Sequence, residues 1–142
     1  MFTHILLGSD GSDGAVKAAE YAADLAKKYH ARLTILSVFH PSPFLPPFEV
    51  PLDVGLEARY IMELQNEAVG KAAAVANQRD VPYGSRREIG HPAEVIPRIA
   101  EEERCDLIVL GSRGLNDIQS FFLGSVADRV THHAHCPVLI VR

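Results

Sequence analysis

Gly111-Ser112-Arg113-Gly114, a spacer of nine residues and then Gly124-Ser125-Val126 form the stretch of this 142-residue chain best suited to chemistry. Glycine lets a backbone approach a ligand closely, and a helix that begins at Ser125 presents N–H groups with no intrahelical carbonyl to bond. Such a place takes an anion. If the two ends of the stretch fold back on each other, amides near Gly114 and amides at Gly124, Ser125 and Val126 face one phosphate from two sides, with the helix dipole in its favour. Glycines that merely punctuate a loop would not also come in the order strand, glycine turn, spacer, Gly-Ser and amphipathic helix. The pattern differs from a Walker loop, because no G-K-[ST] occurs and no lysine follows Gly124.

The elements that must hold this stretch follow from the apolar pattern. Thr3 to Gly8 is a short apolar run closed by Ser9-Asp10-Gly11-Ser12-Asp13-Gly14, which predicts a buried strand and a turn. A helix follows, capped by Ser12 or Asp13, with Ala15, Ala18, Ala19, Ala22, Leu25, Ala26 and Tyr29 on one face. Leu33 to Phe39 predicts a second strand, Pro41 to Asp53 a proline-rich loop carrying Phe44, Leu45 and Phe48, and Leu56 to Arg79 a long helix. Ser85 to Ile89 predicts a third strand ending at Gly90. Pro92 suits the first turn of the next helix, whereas Pro97 removes the bond to the Ala93 carbonyl and predicts a bend or a frayed start. Asp106 to Leu110, Ser125 to Ala134 and Pro137 to Val141 complete the alternation as strand, helix and strand.

Strands apolar on both faces and separated by helices imply one α/β domain over 1–142, a doubly wound parallel sheet with helices on both sides. With strand order 3-2-1-4-5, the order reverses between the first and fourth strands, and ligands of open sheets bind beyond the strand ends at such a reversal. Ser9-Asp10 and Leu110-Gly111 then meet at one crevice.

Composition narrows the function. A formal charge of −4 and the absence of a basic stripe argue against nucleic acid as a partner. No run of about 18 apolar residues and no secretory leader is recognisable, so no membrane partner is expected. Cys105 and Cys136 each adjoin an expected buried strand, where cysteine acts as a small apolar residue, and a reducing cytoplasm fits them. His132-His133-Ala134-His135-Cys136 resembles a metal cluster, but adjacent histidines point to different helix faces and histidines in a last turn complement the dipole. Asp10-Gly11-Ser12-Asp13-Gly14 lacks carboxylates where a calcium loop needs them. No metal ligands are expected from the protein.

The chain resembles the universal stress protein family, in its ATP-binding branch, over essentially its whole length. The residues that carry the likeness are His4-Ile-Leu-Leu-Gly-Ser-Asp10-Gly-Ser, Gly90-His-Pro-Ala, Asp106-Leu-Ile-Val-Leu-Gly-Ser-Arg-Gly114, Gly124-Ser-Val126 and Cys136-Pro-Val-Leu-Ile-Val141. The complete G-x2-G-x9-G-[S/T] pattern marks that branch. The resemblance implies the adenine-nucleotide α-hydrolase-like fold and a stress-linked regulator that binds ATP, with Mg2+ carried on the phosphates. It implies that Asp10, with Ser9 beside it, meets the adenosine, that Val38 lines the adenine pocket, and that Leu110 and Gly111 approach base and ribose. Gly114, Leu115, Gly124, Ser125 and Val126 would surround the phosphates, and Arg113 is in reach of them. Asp10 as a simple turn cap and Arg113 as a solvated cation are the competing readings.

Phosphoryl transfer needs concentrated positive charge and a positioned water, and this stretch offers amides, a hydroxyl and one arginine, so no catalytic residue is expected. The alternatives are a slow ATP hydrolase or nucleotidyl-transferring relative, and a protein-interaction module in which the nucleotide is structural. Pro137-Val138-Leu139-Ile140-Val141, apolar at a sheet edge, predicts a homodimer, in line with the resemblance. The protein partner of a regulator is not written in the sequence.

Overall fold

Along each inner strand, odd-numbered side chains enter one core and even-numbered ones the other, as a sheet covered on both faces requires. In the computed structural model, which describes residues 1–41, 54–114 and 123–142, the elements run β1 (His4–Gly8), α1 (Asp13–Tyr29), β2 (Arg32–Phe39), α2 (Val54–Gln78), β3 (Tyr83–Ile89), α3 (Pro92–Glu102), β4 (Leu107–Gly111), α4 (Ser125–His133) and β5 (Val138–Val141). Ile5, Leu7, Leu33, Ile35, Leu107 and Val109 pack against α1 and α2, while Leu6, Leu36, Ile108 and Leu110 pack against α3 and α4. The five strands are parallel in the order β3-β2-β1-β4-β5. The expected doubly wound α/β fold is the observed one.

α1 can approach the sheet closely because the face it buries is almost all alanine: Ala15, Ala18, Ala19, Ala22, Ala23 and Ala26. Ser12 caps it, its hydroxyl accepting the Ala15 amide at 3.1 Å. At its other end His30 takes the left-handed conformation, φ 55°, and its amide reaches back to the last turn. α3 corrects one expectation. It runs through Pro97 from Pro92 to Glu102, and its start is not frayed, because the His91 ring accepts the Ala93 amide and the His91 carbonyl accepts those of Glu94 and Val95. Ile96, Ile99 and Ala100, buried on both sides of Pro97, hold the helix by packing where one backbone bond is missing. The proline-rich loop, with Phe44, Leu45 and Phe48, lies outside the described residues.

Candidate functional site

β1 and β4 lie side by side, Leu7 opposite Val109, so Gly8-Ser9-Asp10 and Leu110-Gly111-Ser112 leave the sheet together at its carboxyl end. Here the strand order reverses. The glycines at this point are packing requirements first. A Cβ on Gly8 would stand 2.5 Å from Cδ2 of Leu110, and one on Gly111 would stand 2.9 Å from the carbonyl carbon of Gly14. β4 therefore ends against the first turn of α1. Beyond it, Ser112 donates its amide to the Val141 carbonyl at 2.9 Å, and its own carbonyl accepts the Gly124 amide at 2.6 Å.

The last bond closes the glycine stretch on itself, as its spacing suggested. It also corrects the list of phosphate donors, since the Gly124 amide is already engaged by Ser112. The donors that remain belong to α4. Its first intrahelical bond runs from Asp128 to the Gly124 carbonyl, and Gly124 at the N-cap has no side chain to offer. The amides of Ser125, Val126 and Ala127 thus have no acceptor among the described residues.

These amides adjoin a cleft with about 630 Å³ of empty space, its open mouth included. Its lining is apolar at Leu36, Val38, Pro92, Ile96, Leu110 and Val126 and backbone-rich at Gly111, Ser112, Gly114 and Gly124. Among the described residues its lining holds one carboxylate, Asp10, and one cation, Arg113. The arrangement suits a ligand with a flat apolar part and an anionic part.

Of the residues singled out from the sequence, Ser9, Asp10, Val38, Leu110, Gly111, Arg113, Gly114, Gly124 and Val126 line this cleft. Ser125 opens α4 but is not in the lining, and Leu115 lies outside the described residues. Asp10 does serve as a turn cap, accepting the Ser12 amide at 2.9 Å, while it borders the cleft. The Ser9 hydroxyl is committed elsewhere: it donates to the Ala68 carbonyl of α2 at 3.0 Å. Ser9 therefore ties the strand end to the helix. Sequence reading missed Ala15, Leu36, Ile96 and Pro92, whose only signal was their place at the ends of apolar elements. The histidines near the C-terminus behave as helix-end groups, with His132 Nδ1 2.7 Å from the Asp128 carbonyl.

Residues 1–142 match the model of the universal stress protein family. The chain belongs to that family. A universal stress protein of Thermus aquaticus is 39% identical over 150 residues, covering 100% of both chains. Among solved structures of the family, UspA of Lactobacillus plantarum superposes with a TM-score of 0.75 at 30% identity, covering 99% of this chain and 97% of that one. Another, a universal stress protein solved in complex with cAMP, gives a TM-score of 0.70 at 28% identity, covering 99% of this chain and 97% of that one. The family's fold is this five-stranded parallel α/β domain.

Proposed function

We propose that the chain binds ATP, as its magnesium complex, in the cleft between β1 and β4 and acts as a regulatory module of the stress response. One observation carries the reading: the three amides at the start of α4 that have no acceptor among the described residues border a cleft with a largely apolar lining. The cAMP complex of a relative supports an adenine nucleotide as the class of ligand. In this reading the base lies among Val38, Leu36 and Leu110, and Asp10 and Gly111 meet the ribose. The phosphates take Gly114, Ser125, Val126 and Arg113. A magnesium ion would travel on the phosphates, since Asp10 is the lone carboxylate of the described lining.

Catalysis is not part of the role. No lysine, carboxylate cage or base stands at the phosphate end of the described lining, so little would stabilise the charge of a transferring phosphoryl group. Turnover of ATP by the purified protein is expected far below ~1 per second, the low end of ordinary enzymes. Multiple turnovers at that rate, abolished by Asp10→Ala with binding intact, would instead make the chain an ATP hydrolase. The two cysteines are free thiols, which supports a reducing cytoplasm as its place. No helix among the described residues is long and apolar enough to cross a membrane. A homodimer through β5 completes the proposal.

A further inference from the structure

At the opposite end of the sheet from the cleft, where β1 begins, a second group of chemically able side chains converges. His4, Glu103 and Cys105 each bring one donor atom within 4.8 Å of the other two. His4 and Cys105 are buried at 4% and 3% exposure, and Glu103, at the end of α3, is the one that reaches solvent. His4 and Glu103 stand ninety-nine residues apart in the chain.

The hydrogen bonds of this corner set out its donor atoms. His4 Nδ1 lies 3.1 Å from the Glu103 backbone carbonyl and 3.3 Å from Arg32 Nη2. Nε2 is the ring nitrogen turned toward the Glu103 carboxylate. It lies 2.8 Å from the Thr34 hydroxyl and 3.6 Å from Glu103 Oε2, and the same hydroxyl lies 3.0 Å from that oxygen. The Thr34 hydroxyl donates to Glu103 Oε2, so a cation held by Nε2 and Oε2 would take the place of that bond. Glu103 Oε1 is held separately by Arg86 at 3.0 Å.

We propose that His4, Glu103 and Cys105 bind a borderline-soft divalent cation of the zinc class, with the Thr34 hydroxyl as the nearest neutral oxygen for a fourth place. Tetrahedral donors at metal bonds of about 2.0–2.3 Å stand roughly 3.3–3.7 Å apart, so the 3.6 Å between Nε2 and Oε2 needs almost no change. The histidine bonded to a carbonyl through its other nitrogen, and the carboxylate braced by an arginine, are the outer partners such ligands usually have. A nitrogen, an oxygen and a sulfur donor favour zinc-like ions over magnesium or calcium.

Binding must displace a proton from Cys105. Burial first, then the negative charge of Glu103, pushes that thiol up to about 12, against a smaller opposing effect of Arg32. Asp106 adds negative charge at this end, and Arg32 and Arg86 add positive charge. The site makes no use of the nucleotide reading.

Cobalt(II) titrated into chelator-treated protein tests the proposal, because a cobalt–thiolate bond absorbs strongly and zinc abolishes the signal on displacing it. One equivalent should give the charge-transfer band. Cys105→Ala should remove it, Cys136→Ala should leave it, and Glu103→Gln should weaken binding at least tenfold, with circular dichroism confirming that each variant is folded. Should Cys105→Ala fail to fold, Glu103→Gln carries the test, since Gln keeps the shape of that side chain. No band, a band that survives Cys105→Ala, or one lost only with Cys136→Ala would overturn the site.

Discussion

The glycines of the 111–124 stretch, alike in the motif, do different things. Gly111 has no room for a Cβ, which would meet the backbone of Gly14 at 2.9–3.0 Å, whereas Gly124 sits at φ −59°, ψ 153°, a conformation any residue adopts. Gly111→Ala is therefore expected to destabilise the fold by about 1–3 kcal/mol through overpacking, read by denaturant unfolding. Gly124→Val needs no change of backbone conformation and is expected to fold, with a poorer N-cap on α4. At the far end, the Asp106 carboxylate accepts from the Thr3 amide at 2.8 Å, the Thr3 hydroxyl at 2.7 Å and the His4 amide at 3.1 Å. Burial works to raise its pKa, but these bonds outweigh it and hold the carboxyl below the ordinary value. The stability it contributes is complete above the unfolded carboxylate pKa of about 3.9 and is lost as pH falls through the lower folded value. Asp106→Asn should flatten the acid side of a stability–pH curve below about pH 4, and an unaltered slope would contradict this account of the carboxylate.

Elements were the most legible level of the sequence, because each carries its own periodicity and punctuation. Ala15, Ala18, Ala19, Ala22 and Ala26 gave away the buried face of α1, and Gly90, φ 152°, marked the end of β3. What could not be read was tertiary. The Ser9 hydroxyl finds its acceptor fifty-nine residues away, the Gly124 amide is taken by Ser112, and the His4–Glu103 pair joins the start of β1 to the end of α3. Pro97 shows the same limit: local hydrogen bonding predicts a bend or a frayed start, while packing of Ile96 and Ile99 keeps the start of the helix intact. One helix end is open to improvement. His30 is exposed at φ 55°, a conformation that costs a residue with a Cβ roughly 1–2 kcal/mol per residue and glycine far less. After glycine's entropic penalty, His30→Gly should raise stability by about 0.5–1 kcal/mol, seen as a higher thermal midpoint.

For the molecule as a whole, the strand order places the candidate site, because reversal between β1 and β4 opens a crevice at the sheet's carboxyl edge. The same order leaves β5 at an edge, with Val138, Leu139 and Ile140 only partly buried. Pairing of this strand with its copy about a two-fold axis would cover them in one isologous interface. Light scattering at micromolar concentration should give twice the chain mass, reduced to one chain by Ile140→Lys; a single-chain mass for both would show that the edge is used otherwise. The central claim concerns the cleft, and isothermal calorimetry with magnesium and ATP on the parent chain and on Gly124→Val tests it most directly. The account predicts binding of one nucleotide per chain to the parent and at least a tenfold loss in the folded variant, whose valine adds a branched side chain to the cleft lining. Equal affinity in the two, or no heat of binding in the parent, would contradict it.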